Sequence, residues 1–281
     1  MNLNERELQR RLDAAIAWAR EAGELILGYY QSDGLKVDRK SDASPVTIAD
    51  RDAESLLRDR VAAQFPQDGF LGEEHGEVES QNGLRWIVDP IDGTKAFIAG
   101  VPLFGTLIGL ESGDNVLLGV CRFPALREVV YAANGCGAYW QIDGETPAAI
   151  RVSETAELSD ALFCYTEAEL FERLGRRDVF DELLAQSRVA RGWGDCYGHM
   201  LVAAGRADLM VDPFMNAWDA AALLPIIREA GGCFTAWNGA TTVRGGNGVS
   251  VNAALKEQLL AILKGGGDSG ISANHTTSGV R

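Results

Sequence analysis

Cations are scarce in this chain: 26 Lys and Arg stand against 40 Asp and Glu, a net charge of −14. With no basic stripe to neutralise a phosphate backbone, nucleic acid is excluded as a partner. So acidic a protein is also badly placed to hold a small anion unless bound cations reverse the field locally. Cysteine is sparse and unpatterned. Cys121, Cys136, Cys164, Cys196 and Cys233 are odd in number and lack C-x-x-C spacing, so reduced, mostly core thiols of a cytoplasmic protein are expected. Long apolar runs are missing as well. No stretch approaches the length of a membrane span, and the N-terminal region carries Glu5, Glu21 and Glu24 with no uninterrupted apolar core, so neither export nor anchoring is expected. There is no internal repeat and nothing forces a linker, which leaves 281 residues for one large domain or two small ones. Either can bury a sizeable core.

What is present is a concentration of carboxylates around Trp86-Ile87-Val88-Asp89-Pro90-Ile91-Asp92-Gly93-Thr94. Trp86 to Val88 reads as a short buried strand that Pro90 must end, because proline has no N–H for the ladder. The strand thereby delivers Asp89 to its own end. Asp92 follows closely, so a turn through Pro90 and Ile91 can point both carboxylates, and the Ile91 carbonyl, into one small volume. Two anions that close repel unless a cation lies between them. Hard oxygen ligands with no nearby His or Cys suit Mg²⁺ or Mn²⁺ better than zinc. Gly93-Thr94 then opens a short helix, Lys95 to Ala99, whose free N–H groups favour a phosphate. A metal pair beside a phosphate cradle suggests phosphoryl hydrolysis. The same Asp-Pro-x-Asp-Gly string also describes an ordinary Asx-type turn with Gly at positive φ, and locally both readings stand.

Elsewhere, Leu8, Leu12, Ala15, Ile16, Ala19, Ala22 and Ile26 recur at helical spacing and predict an amphipathic first helix that fades at Gly28. Lys36 to Ser44 reads as a mobile polar connector. Thr47 and Asp50 have the spacing of a capping box opening a second helix through Phe65, which explains Asp50 without any chemistry. Phe70 to Gly72 is a brief strand presenting Glu73 and Glu74. Short runs from Phe104 to Gln141, separated by Ser112-Gly113-Asp114-Asn115 and Asn134-Gly135, predict an antiparallel meander extending the central sheet. From Val152 onward strands alternate with helices, predicting a second layered α/β unit. Within it Asp195 to Ala204 and Asn216 to Glu229 read as helices, and Pro225 should bend or break the latter. The expected organisation is an N-terminal αβ subdomain over 1–152, a C-terminal α/β subdomain over 153–264, and a disordered Gly/Ser-rich tail over 265–281. His75 is expected at the surface and His199 in the packing.

With Gly72-Glu73-Glu74 upstream and Trp218-Asp219-Ala220-Ala221 downstream, the acidic motifs resemble those of the inositol monophosphatase family of Mg²⁺-dependent phosphomonoesterases. They occur in the family's order, across residues 8 to 264, and the contexts of Asp195 and Asp212 look most like its histidinol-phosphatase branch. The resemblance implies a layered αβαβα sandwich, with a large, mostly antiparallel sheet and a second, smaller sheet flanked by helices. It also implies that Glu73, Asp89 and the Ile91 carbonyl hold one Mg²⁺, that Asp89, Asp92 and Asp219 hold a second, and that a third, looser ion sits near Glu73 and Asp50. Thr94 would orient the attacking water together with Asp50, while the N–H groups of Gly93 and Thr94 bind phosphate. Glu74 would support the ligand beside it, and Lys40 would lie in a mobile loop near the metals. A lithium-sensitive homodimer is implied as well. Asp219 has a structural explanation beside this one, since an acid in the first turn of a helix is favoured by the dipole.

The alcohol end is less specified. Arg191, Trp193, Asp195 and Asp212 are the candidates to face it, with Asp212 placed where inositol-cleaving relatives have an acid that contacts ring hydroxyls. Asp195, in Arg191-Gly192-Trp193-Gly194-Asp195-Cys196-Tyr197, can equally be an N-cap. An aspartate pair in a pocket suits an alcohol carrying an ammonium and an imidazole, which describes histidinol phosphate. Myo-inositol monophosphate is the close alternative. Bisphosphates fit less well because no additional basic cluster is evident, and a metal-binding or regulatory protein without turnover is the alternative of a different class.

Overall fold

The computed structural model describes residues 3–32, 35–39 and 45–265. Lys40 and residues 266–281, expected to belong to a mobile loop and a disordered tail, lie outside the described residues. The chain opens with helix α1 (Glu5–Leu27), capped by Asn4, whose side chain accepts from the Glu7 N–H at 2.9 Å. Strands β1 (Val37–Arg39) and β2 (Pro45–Thr47) pair as a small antiparallel ladder where the sequence suggests only a connector. Helix α2 (Ile48–Gln64) begins with the expected Thr47/Asp50 capping box. Next come β3 (Gly69–Gly72), β4 (Gly76–Val78), β5 (Leu84–Asp92), α3 (Thr94–Ile98), β6 (Gly105–Ser112), β7 (Asn115–Phe123), β8 (Glu128–Ala133), β9 (Gly137–Ile142) and β10 (Ala148–Ala149). They form an eight-stranded sheet in the order β10-β9-β8-β7-β6-β5-β3-β4. Its β6 to β9 part is the predicted meander, and β3 and β5 run parallel.

The second half contributes β11 (Leu162–Cys164), α4 (Ala168–Arg173), α5 (Arg177–Gln186), β12 (Val189–Arg191), α6 (Asp195–Ala203), β13 (Leu209–Asp212), α7 (Ala217–Ala221), α8 (Leu223–Glu229), β14 (Cys233–Thr235), β15 (Gly248–Val251) and α9 (Lys256–Gly265). Its five strands are ordered β12-β11-β13-β15-β14. Three apolar clusters explain how the sheets stack. Leu12, Trp18 and Leu57 of α1 and α2 pack on Trp86, Ile108 and Val120. On the opposite face Leu107, Cys121 and Val130 meet Met200, Leu223 and Ile227, which also reach Met210 and Phe234 of the second sheet. Phe163, Val211 and Val249 cover that sheet's far side with Phe180, Leu183 and Leu259. The layers therefore run helix, sheet, helix, sheet, helix, the αβαβα sandwich. Both faces of the large sheet are covered, which is why its strands read as near-continuous apolar runs.

Two local features place the acidic residues. Pro90 does not end β5 as the sequence predicts. Pairing with β6 runs through Asp89 with Leu107 and resumes at Asp92 with Gly105, so Pro90 and Ile91 lie in a bulge. Bulged residues need no ladder N–H, and the Pro90 carbonyl accepts instead from the Thr106 hydroxyl at 2.8 Å. The second feature is the break at Ala222 between α7 and α8. A continuous helix would press the Pro225 ring on the carbonyl of Ala221. The interrupted backbone settles on the paired glycines Gly109 and Gly119, where a Cβ on Gly119 would lie 2.0 Å from the Ala222 carbonyl oxygen. Gly119→Ala must push backbone from backbone, and is expected to destabilise the fold by roughly 3 kcal/mol, read as a lower urea midpoint.

Candidate active site

Because β3 and β5 are parallel neighbours, with Gly72 opposite Val88, the chain leaving β3 carries Glu73 to the same edge as Asp89. The turn there is moulded by Glu54 of α2. Its carboxylate, 0% exposed, accepts the N–H groups of Glu74 and His75, each at 2.7 Å, and lies 3.1 Å from His75 Nδ1. Sequence reasoning passed over Glu54, although it follows Asp50 by one helical turn on the same buried face of α2.

The bulge in β5 shapes the centre. Asp89 Oδ1 accepts from the Ile91 N–H at 3.0 Å, so the Asx-type turn is present and coexists with the clustering of acids. The Thr94 hydroxyl donates to the Ile91 carbonyl at 3.1 Å, and Gly93, at φ 83°, turns the chain into α3 in a conformation that favours glycine. Asp219 is the third residue of α7 and accepts the Asn216 N–H at 2.7 Å in a capping box. One carboxylate oxygen from each of Asp89, Asp92 and Asp219 lies within 4.8 Å of the others. Glu73 shares a hydrogen bond with Asp89. Asp50 lies close enough to feel Glu73 and Glu74, while its carboxylate accepts from the Thr47 N–H at 2.8 Å and the Thr47 hydroxyl at 2.6 Å. It thus caps α2 and borders the cluster at once.

Asp92 also accepts the N–H of Cys196 in the first turn of α6, tying the large sheet to that helix. The helix is therefore capped from across the cleft. Asp195 is not its N-cap: Gly194 holds that position, and Asp195 adopts φ 52° with its N–H donated to the Thr166 hydroxyl at 2.8 Å. A left-handed aspartate is conformationally unfavourable and persists where surrounding contacts determine it.

These carboxyls are hard to ionise together. Burial first, then repulsion from Glu73, Asp92 and Asp219, holds Asp89 well above the usual carboxylate range. Burial and the charges of Asp195 and Asp219 do the same to Asp92. Enclosure raises Asp219 to about 7 against the opposing Asn216 N–H, and enclosure with the charges of Asp212 and Glu167 raises Asp195 to about 7. Asp50 reaches about 6, chiefly through burial. Such mutual repulsion in an all-oxygen donor set calls for a hard divalent cation. The nearby thiols of Cys121 and Cys196 are pushed up by burial, which favours their protonated form.

A cleft opens beside the cluster. Glu73, Thr94, Lys95, Thr166, Glu167 and Asp195 line one part, with Lys95 paired to Glu167 across it. Asp92, Asp195, Asp212, Asp219 and Phe214 line a deeper recess of about 80 Å³, and the wider cleft shared by Asp195, Leu170 and Phe214 reaches about 730 Å³, enough for a small molecule. A larger groove of about 850 Å³ along α1 is lined by Arg6, Arg10, Arg60, Asp13 and Glu21, lies apart from the Asp89, Asp92 and Asp219 cluster, and is not the candidate. Arg191 lies outside these cavities; it is exposed and its guanidinium donates to the Ala190 carbonyl at 2.8 Å. Trp193 is likewise exposed. Glu167, Lys95 and Phe214 carry no motif that would single them out in the sequence. Among the described residues no helix is long and apolar enough to cross a membrane.

Known proteins resemble this chain over most of its length. The model of the inositol monophosphatase family matches residues 7–266. A histidinol-phosphatase from Chlorobaculum parvum is 45% identical over 256 residues, covering 91% of this chain and 97% of that protein. Another, from Mycobacterium tuberculosis, is 39% identical over 252 residues, covering 90% and 97%. An inositol-1-monophosphatase from Mesorhizobium japonicum is 32% identical over 269 residues, covering 92% and 94%. Among solved structures, an inositol monophosphatase from Zymomonas mobilis superposes with a TM-score of 0.79 at 31% identity, covering 91% of this chain and 98% of that one. The chain therefore belongs to the inositol monophosphatase family, and is a phosphoric monoester hydrolase.

Proposed function

We propose that this phosphatase hydrolyses L-histidinol phosphate to L-histidinol and phosphate, a step of histidine biosynthesis. The observation that carries the reading is the recess between Asp195 and Asp212, which no basic side chain lines and which Phe214, 54% exposed, flanks. An anionic recess with an aromatic wall suits an alcohol bearing an ammonium and an imidazole. The histidinol-phosphatases among the relatives support it. By the same resemblance the enzyme would act as a homodimer in the cytoplasm.

The donor set fits two or three Mg²⁺, with Mn²⁺ able to use the same oxygens: Glu73, Asp89 and the Ile91 carbonyl at one position, Asp89, Asp92 and Asp219 at a second, and Glu73 with Asp50 near a third. Bound there, the ions would lower the pKa of the attacking water and neutralise charge on the phosphate and the leaving alkoxide. The chain's own groups do the rest. Asp50, at about 6, is mostly ionised at neutral pH and can take a hydrogen bond from the water, which Thr94 helps to orient. The N–H groups of Gly93 and Thr94 receive phosphate oxygens. Asp195 and Asp212 hold the cationic end of the alcohol and so fix the ester in line for attack.

Comparison of kcat/KM on two substrates tests the assignment. Histidinol phosphate is expected to exceed inositol 1-phosphate by about tenfold or more, since a recess built for charged donors rejects a neutral polyol. A larger value for inositol 1-phosphate would move the enzyme to the second reading, which the Mesorhizobium relative favours. No turnover of either ester in Mg²⁺ would overturn both substrate readings.

A further inference from the structure

His199 of α6 is 0% exposed, yet both of its ring nitrogens are engaged. Nδ1 lies 2.7 Å from the hydroxyl oxygen of Ser250 in β15, and Nε2 lies 3.1 Å from Oδ2 of Asp212 at the end of β13. The two strands are antiparallel neighbours, with Ser250 opposite Met210, so serine and aspartate flank the imidazole from one sheet. Asp212 is 5% exposed, and its other oxygen, Oδ1, is buried without a hydrogen-bond partner. That residue also lines the recess with Asp195 and Phe214. An unpartnered buried carboxylate oxygen is costly and rare in folded proteins. A donor arriving from the recess accounts for it.

With a proton on Nε2 the imidazole donates to Oδ2, and the Ser250 hydroxyl, on the opposite side of the ring, holds Nδ1. Ser, His and Asp are also the residue types of a hydrolytic triad, but Ser250 is 0% exposed and cannot meet an ester. We infer that His199, steadied by Ser250, is a positioning residue that holds Asp212 so that Oδ1 receives a donor group of the leaving alcohol. The inference rests on the proposed reading in which this recess takes the alcohol end of the ester.

The test compares histidinol phosphate, inositol 1-phosphate and p-nitrophenyl phosphate, whose alcohol has no donor for Asp212, with wild type, His199→Leu, His199→Gln and Ser250→Ala. His199→Leu is expected to raise KM for histidinol phosphate about tenfold, with a clearly smaller change for p-nitrophenyl phosphate. His199→Gln, which keeps an N–H within reach of Asp212, should recover part of the loss, and Ser250→Ala should show a weaker loss of the same kind. Equal losses on all substrates, or a loss confined to kcat, would mean that His199 only packs α6 on the second sheet, and the inference fails. Should His199→Leu not fold, His199→Gln and Ser250→Ala carry the same comparison. If wild type prefers inositol 1-phosphate, the substrate reading fails by itself. The His199 inference then stands only if that ester shows the larger rise in KM.

Discussion

Asp92→Asn is expected to lower phosphatase kcat/KM on the order of 10³-fold while the fold survives. Asp92 is one of the carboxylates that converge within 4.8 Å, so the substitution removes a full negative charge from the donor set. Asparagine has nearly the same shape and keeps an oxygen to accept the Cys196 N–H, the bond that joins Asp92 to α6. The loss should therefore be chemical. Stability without metal should even rise, because Asp92 repels both Asp89 and Asp219. Steady-state kinetics over a range of Mg²⁺ concentrations, with thermal melts in chelator, check both halves. Activity retained at wild-type Mg²⁺ concentrations would mean that the metal is held elsewhere.

The second large effect is a pH-dependent loss of stability on metal removal. Asp195 and Asp219 are raised to about 7, and Asp89 and Asp92 are also raised. A carboxyl with a folded pKa above its unfolded value of about 3.9 keeps its proton after the unfolded chain has released it. The unfolded state then binds fewer protons, and stability falls as pH rises. In chelator, the melting temperature is expected to fall as pH rises from about 4 and to keep falling through about 7, where Asp195 and Asp219 lose their protons in the folded state. Mg²⁺ binds the ionised carboxylates, so it should raise the melting temperature much more at pH 8 than at pH 5. A flat profile in chelator, or no response to Mg²⁺ at pH 8, would show that these acids do not share an ion site.

Neighbouring residues explain which parts were legible beforehand. Thr47 with Asp50 and Asp89 with Asp92 act through short spacings, so cap, turn and acid cluster can be read along the chain, whereas Asp219 was legible only as an acid in the first turn of its helix and its capping box with Asn216 was not. The meander follows from alternation and turn residues, and the interruption near Pro225 from a missing N–H. Pro90 was misjudged because a bulge depends on what the adjacent strand offers, here the Thr106 hydroxyl.

By itself the sequence determined the acidic motifs, their order, the Thr47/Asp50 cap that opens α2, and the alternation that makes the meander; each is a property of residues near one another in the chain. Only the tertiary structure decided that Glu54 moulds the Glu73 turn, that Asp92 caps α6 across the cleft, and that His199 joins Ser250 to Asp212. Those roles come from burial and from contacts between distant segments. A carboxylate or imidazole acquires its function there from what surrounds it after packing, which no local spacing records.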